Sequence, residues 1–231
     1  MIDYFRMQIP ELNITVEDVL IGQGADPEKI SVSRDYLFAI AEKAMEMGAG
    51  LIELRLFCRK LPVVSFIDDE ILLEEGWKIN HSRLLHLMPH ADFIYFIIAT
   101  ISRKLEDLSS EMFQTDISLS LALDGLANVV VDKLTHVAYN QIEDESRQEE
   151  MQASIPVGPG SKYWRVEAGQ PVIFGVVKPD PDVIQLTESS LMIPRKSNSF
   201  IVGIGDTMPE HGTACEYCDL KDSCRYKLRK R

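Results

Sequence analysis

Residues Phe93 to Ile101 read FIYFIIATI, an uncharged run of nine with five β-branched and three aromatic side chains. It is far shorter than the ~20 residues that cross a bilayer. It also lacks the polar face an amphipathic helix would show, so its length and composition mark a fully buried strand. Whatever else the chain does, it must cover this strand.

The surrounding pattern supplies that cover. Asp35 to Met47 carries Leu37, Ile40, Ala41, Ala44 and Met47 at helical spacing, with Gly48 and Gly50 as stop signals. LIELRLFC (51–58) alternates like a half-buried strand, VVSFI (63–67) reads as another, and WKI (77–79) as a short one. A small helix from Ser82 would bury Leu84, Leu85 and Leu87 before Pro89 ends it. Two helices should follow the apolar strand. The second, Ser118 to Ile142, carries Leu119, Leu123, Leu126, Val130 and Leu134 on one face and runs into the acidic, exposed EDESRQEE.

The last third changes character. SIPVGPGSKYW (154–164) is a loop by its prolines and glycines. PVIFGVV (171–177) fits a helical turn or a strand, and residues 182–205 read as strand, irregular loop, strand. Helices and short strands without βαβ alternation indicate an α+β fold. The boundaries expected are one domain over 1–205 and a cysteine-bearing tail over 206–231.

A net charge of −12 repels phosphate backbones, which argues against nucleic acid. The one basic run, Arg225, Lys227, Arg229, Lys230 and Arg231, reads as a solvated end. No membrane partner is expected. MIDYFRMQIPELN has no basic stretch followed by an apolar one, and three of the four cysteines are crowded together, so a reducing cytoplasm fits best.

Those three, Cys215, Cys218 and Cys224, form Cys-x2-Cys-x5-Cys, which suits zinc or an iron–sulfur cluster. Cys58 and His211 are candidates for a fourth ligand, and an iron–sulfur centre could keep one iron open. His86 and His90 are four apart, but Pro89 between them breaks the helix a metal pair would need.

LTESSLMIPRKSNSFIVGIG (186–205) resembles the signature of the activation (reactivation) domain of cobalamin-dependent methionine synthase, most of all in its stand-alone form. FIIATISRKLEDL (96–108), LALDGLANVVVDKL (121–134) and the GPGSKYW loop (158–164) are similar to further parts of that family, so the likeness runs from about Ile79 onwards. It implies a twisted, mainly antiparallel sheet flanked by helices. It also implies S-adenosylmethionine as a ligand, a corrinoid-carrying protein as a partner and an electron donor for reductive remethylation. The residues it brings forward are Pro159, Gly160 and Tyr163 in the loop, Thr187, Glu188 and Ser189, and Arg195, Lys196 and Ser197.

One departure bears on the ligand. The family's Arg-x-x-x-Gly-Tyr motif, anchored on Gly160, meets Pro156 at the arginine position and Ser161 at the tyrosine position. An arginine there can hold a carboxylate bidentately, and proline cannot. Read as chemistry alone, Arg195 and Lys196 could grip an anionic group, and Glu188 could orient an amine. The alternatives to an accessory role are a binding module for a corrinoid or its protein, and a small iron–sulfur electron carrier.

Overall fold

The computed structural model describes residues 12–80, 82–161 and 164–208. In chain order the helices are α1 (Val16–Gly22), α2 (Arg34–Gly48), α3 (Ser82–Leu87), α4 (Lys104–Met112), α5 (Ile117–Gln148) and α6 (Val166–Val177). The strands are β1 (Leu54–Ile67), β2 (Glu70–Leu73), β3 (Lys78–Asn80), β4 (Phe93–Ile101), β5 (Gln152–Ala153), β6 (Gln185–Leu186), β7 (Met192–Ile193) and β8 (Ser197–Gly205).

A six-stranded sheet has the order β3-β2-β1-β4-β8-β5, with every neighbouring pair antiparallel. β6 and β7 pair separately as a small hairpin. The apolar run is β4, at the centre, and its alternate residues feed two cores. Ile94, Phe96 and Ile98 pack with Ile173, Val176 and Val177 of α6 and with Leu84 of α3. Tyr95 and Ile97 pack with Ala138, Tyr139 and Ile142 of α5. A strand covered on both faces has no use for polar side chains, and each buried isoleucine contributes roughly 2–3 kcal/mol of transfer free energy.

The strand's last residue, Ile101, reaches a third core. There α1, α2, α4 and the first half of α5 bring together Val19, Leu20, Ala41, Ala44, Leu105, Leu123 and Val130. The crossing of α1 and α5 is tight because both contact residues are glycine. A Cβ on Gly125 would lie 2.7 Å from the carbonyl oxygen of Val19.

Two expectations change and one alternative is decided. LIELRLFC and VVSFI are not separate strands: the first from Leu54 onwards and the whole of the second belong to β1. Pro62 sits where β1 passes from pairing with β4 to pairing with β2, so its missing N–H costs little. The long helix continues through the acidic stretch to Gln148, where salt bridges of Arg147 to Glu143 and Asp144 support its last turns. PVIFGVV is helical, within α6, despite Pro171, because its apolar face is buried on the sheet. Helix α1 went unread although its capping box, Thr15 with Asp18, is written in the chain.

Candidate functional site

β8 is the strand on which the two sequence-flagged segments meet. Val157 bridges to Ile201, which lays the GPGSKYW loop along β8. At Gly158 the backbones approach so closely that a Cβ would stand 2.8 Å from the Ser199 carbonyl oxygen. Ser197, the last residue of Pro-Arg-Lys-Ser, lies two residues further along the same strand, roughly 7 Å away. The loop and the motif thus share one end of the sheet.

The loop closes on itself. Gly160 has φ +92°, a conformation that glycine adopts without strain, and its N–H donates to the Trp164 carbonyl at 2.7 Å. Ser161 bridges to Trp164, whose indole is buried in the α6 core. Pro159 packs on Gly169 of α6, where a Cβ would come within 2.6 Å of the proline ring. Ser199 Oγ donates to Gln170 Oε1 at 3.0 Å, which ties the strand to the same helix. Tyr163 lies outside the described residues.

Thr187, Glu188 and Ser189 form the tip of the β6–β7 hairpin. The Thr187 hydroxyl accepts from the Leu191 N–H at 3.0 Å and meets Ser189 Oγ at 3.0 Å, so it shapes the turn. Glu188 and Ser189 are exposed at the tip. After the hairpin the Ile193–Pro194 bond is cis and Pro194 is buried.

The charged pair that follows divides its work. Lys196 Nζ donates to Asn128 Oδ1 at 2.7 Å and pairs with Asp124 Oδ1 at 2.7 Å, leaving its side chain 16% exposed. Its backbone N–H donates to the buried carboxylate of Glu106 at 2.5 Å. Arg195 reaches the same carboxylate with Nε at 3.5 Å, yet its side chain stays 73% exposed. Ser197 Oγ lies 2.7 Å from Thr100 Oγ1 and donates to the Pro194 carbonyl at 2.6 Å. Lys196 and Ser197 therefore fasten the segment, and Arg195 is the cation it presents to solvent.

The acceptors in this fastening, Glu106, Asp124 and Asn128, were missed by sequence reasoning. Their signal was present: three polar side chains on helices otherwise read for their apolar faces, with Asp124 and Asn128 one turn apart.

The cysteine cluster, His211 and the basic run lie outside the described residues. Among the described residues no group of three metal-ligating side chains occurs. Cys58, weighed above as a fourth ligand, is buried beneath α5, and burial together with the nearby Glu145 raises its thiol well above the usual range. Metal binding requires the thiolate, so the core position counts against Cys58 as a ligand. No described helix is long and apolar enough to cross a membrane.

No protein-family profile matches the chain. No curated protein matches its sequence either. Among solved structures, the fold is similar to the MetH reactivation domain, in a crystal structure bound to AdoHcy, with a TM-score of 0.61 and 14% identity over 90% of this chain and 81% of that one. The α+β fold, with its antiparallel sheet and flanking helices, is the fold of that reactivation domain.

Proposed function

We propose that the protein is an accessory to a corrinoid methyltransferase system and supports reductive remethylation of a corrinoid-carrying protein. The observation that carries this reading is the meeting of the GPGSKYW loop and the Thr187–Ser197 segment on β8, in a chain with the fold of a reactivation domain. In that chemistry an electron donor reduces the partner's cobalt(II) to cobalt(I). The cobalt then takes the methyl group from the sulfonium of S-adenosylmethionine, and S-adenosylhomocysteine leaves.

This chain's part is to hold the ligand and dock the partner. Pro159, Gly160 and Tyr163 would frame the nucleoside ligand, with the closed turn at Gly160 fixing the shape of the loop. The exposed tip Thr187–Ser189 and Arg195 would face the corrinoid protein, with Lys196 and Ser197 fixing them in place. Cys215, Cys218 and Cys224 enter the proposal as zinc or iron–sulfur ligands, and in the second case as a path for the electron.

A second reading rests on one sequence observation. With Pro156 and Ser161 at the family's arginine and tyrosine positions, the loop lacks two contacts, and the chain could dock a corrinoid protein without using S-adenosylmethionine. Calorimetry with S-adenosylmethionine and S-adenosylhomocysteine separates the two. Micromolar binding that Gly160→Val abolishes supports the methyl-transfer reading. Absence of binding at millimolar ligand leaves the docking module.

A further inference from the structure

Beside Pro194, and apart from the GPGSKYW loop, an open cleft of about 250 Å³ has Arg103, Asp182, Ile101, Val183 and Ile193 in its lining. Most of its charges are already matched. Glu53 is paired with Lys104 and, at 3.8 Å, with Arg55, whose Nη1 also donates to the Leu54 carbonyl at 3.0 Å. Ser102 Oγ donates to the Leu51 carbonyl at 2.6 Å.

Two groups keep open hydrogen-bonding capacity, one of each sign, although the Arg103 charge is itself paired with Asp107. Arg103 uses only Nε, on Asp107 at 3.2 Å, and its two Nη nitrogens have no partner among the described residues. The Asp182 carboxylate has none there either, since that residue's one hydrogen bond runs from its backbone N–H to Asp180. Between these polar groups the lining is apolar: Ile101, Pro181, Val183, Ile193 and Pro194.

An occupant must suit all three features. A simple anion would satisfy Arg103 and meet a like charge at Asp182. A simple cation would do the reverse, and a neutral apolar molecule would leave the Asp182 carboxylate and the Arg103 Nη donors without a partner as it displaced their water. A zwitterion with an apolar body answers each of them. The volume lies just below the roughly 300–1,000 Å³ of drug-sized ligand pockets, so the molecule is small.

We propose that this cleft binds a free α-amino acid with an apolar side chain. The carboxylate takes the paired Nη donors of Arg103, a geometry guanidinium offers and an ammonium does not. The ammonium faces Asp182, and the side chain lies against Ile101, Val183, Ile193 and Pro194. No residue of the GPGSKYW loop lines the cleft, so a ligand of that loop would not compete for it.

The test is calorimetry on the full chain with L-leucine, 4-methylpentanoate, which lacks the ammonium, and L-leucinamide, which lacks the carboxylate charge. L-leucine is expected to bind with Kd of about 1 mM or tighter, as an open site allows. Each analogue should bind about tenfold or more weakly, since each loses a charge-assisted contact. Arg103→Gln and Asp182→Asn should each weaken leucine by a similar factor. Both side chains are exposed at the surface, and circular dichroism would confirm that the variants fold. Failure of both L-leucine and the smaller L-valine to bind would overturn the site. Equal binding of 4-methylpentanoate, or unchanged affinity in both variants, would do so too.

Discussion

The ammonium of Lys196 lies 2.7 Å from both Asp124 Oδ1 and Asn128 Oδ1, in a polar socket on α5. Read along the chain, Arg195 and Lys196 are equivalent charges in a loop. In space they differ, because Lys196 reaches Asp124 and Asn128 on α5 while Arg195 stays exposed. Lys196→Met should therefore lower stability by about 1–3 kcal/mol, since it removes two charge-assisted contacts and leaves their acceptors without the donor. Arg195→Met, with a single long contact, should cost about 0.5 kcal/mol or less. Urea melts of both variants check the ranking, and equal losses would contradict the division of roles.

Among the elements, β4 was legible and β1 was not, for reasons that lie in their side chains. Every residue of β4 from Ile94 onwards is buried, so hydrophobicity alone identified it. β1 carries Pro62 within its span, and no local pattern reveals that a strand changes partners at a proline. Helix α6 was ambiguous because PVIFGVV holds Pro171 and Gly175, and only burial against the sheet decides between helix and strand. Of the candidate site, the motif residues were legible from the resemblance. Glu106, Asp124 and Asn128 were not, because only tertiary contact brings α4 and α5 to the Pro-Arg-Lys-Ser turn.

Helix α1 gives a pH-dependent test at this scale. Burial works against the ionised form of Asp18, yet Lys133 Nζ at 2.7 Å and the Thr15 N–H at 3.0 Å hold its carboxyl below the usual carboxylate range. A carboxyl lowered by folding stabilises the native state above its unfolded value, and that contribution is lost as pH falls through the folded value. Asp18→Asn should thus cost about 0.5–1 kcal/mol at pH 7, through the capping box and a half-exposed ion pair. The difference from the parent should shrink below about pH 4. A gap that stays constant across that range in urea melts would mean the ion pair contributes nothing.

At the scale of the whole molecule, three cores meet around β4, and the sheet end where Ile101 leaves the strand borders both the Pro-Arg-Lys-Ser turn and the proposed cleft. The helical lobe therefore acts on that end directly: α4 supplies Glu106, α5 supplies Asp124 and Asn128, and the Asn128 amide donates to the Gly22 carbonyl of α1 at 3.1 Å. A likeness of fold at 14% identity leaves the docking role to be tested by binding. The most direct measurement is the affinity of the full chain for a corrinoid-carrying methyltransferase domain in its cobalt(II) state, by calorimetry, with Arg195→Glu alongside the parent. The expected result is a one-to-one complex that the charge reversal weakens about tenfold, as loss of a rim charge at a protein interface does. Absence of a complex with the cobalt(II), cobalt(I) and methylated forms alike would contradict the account.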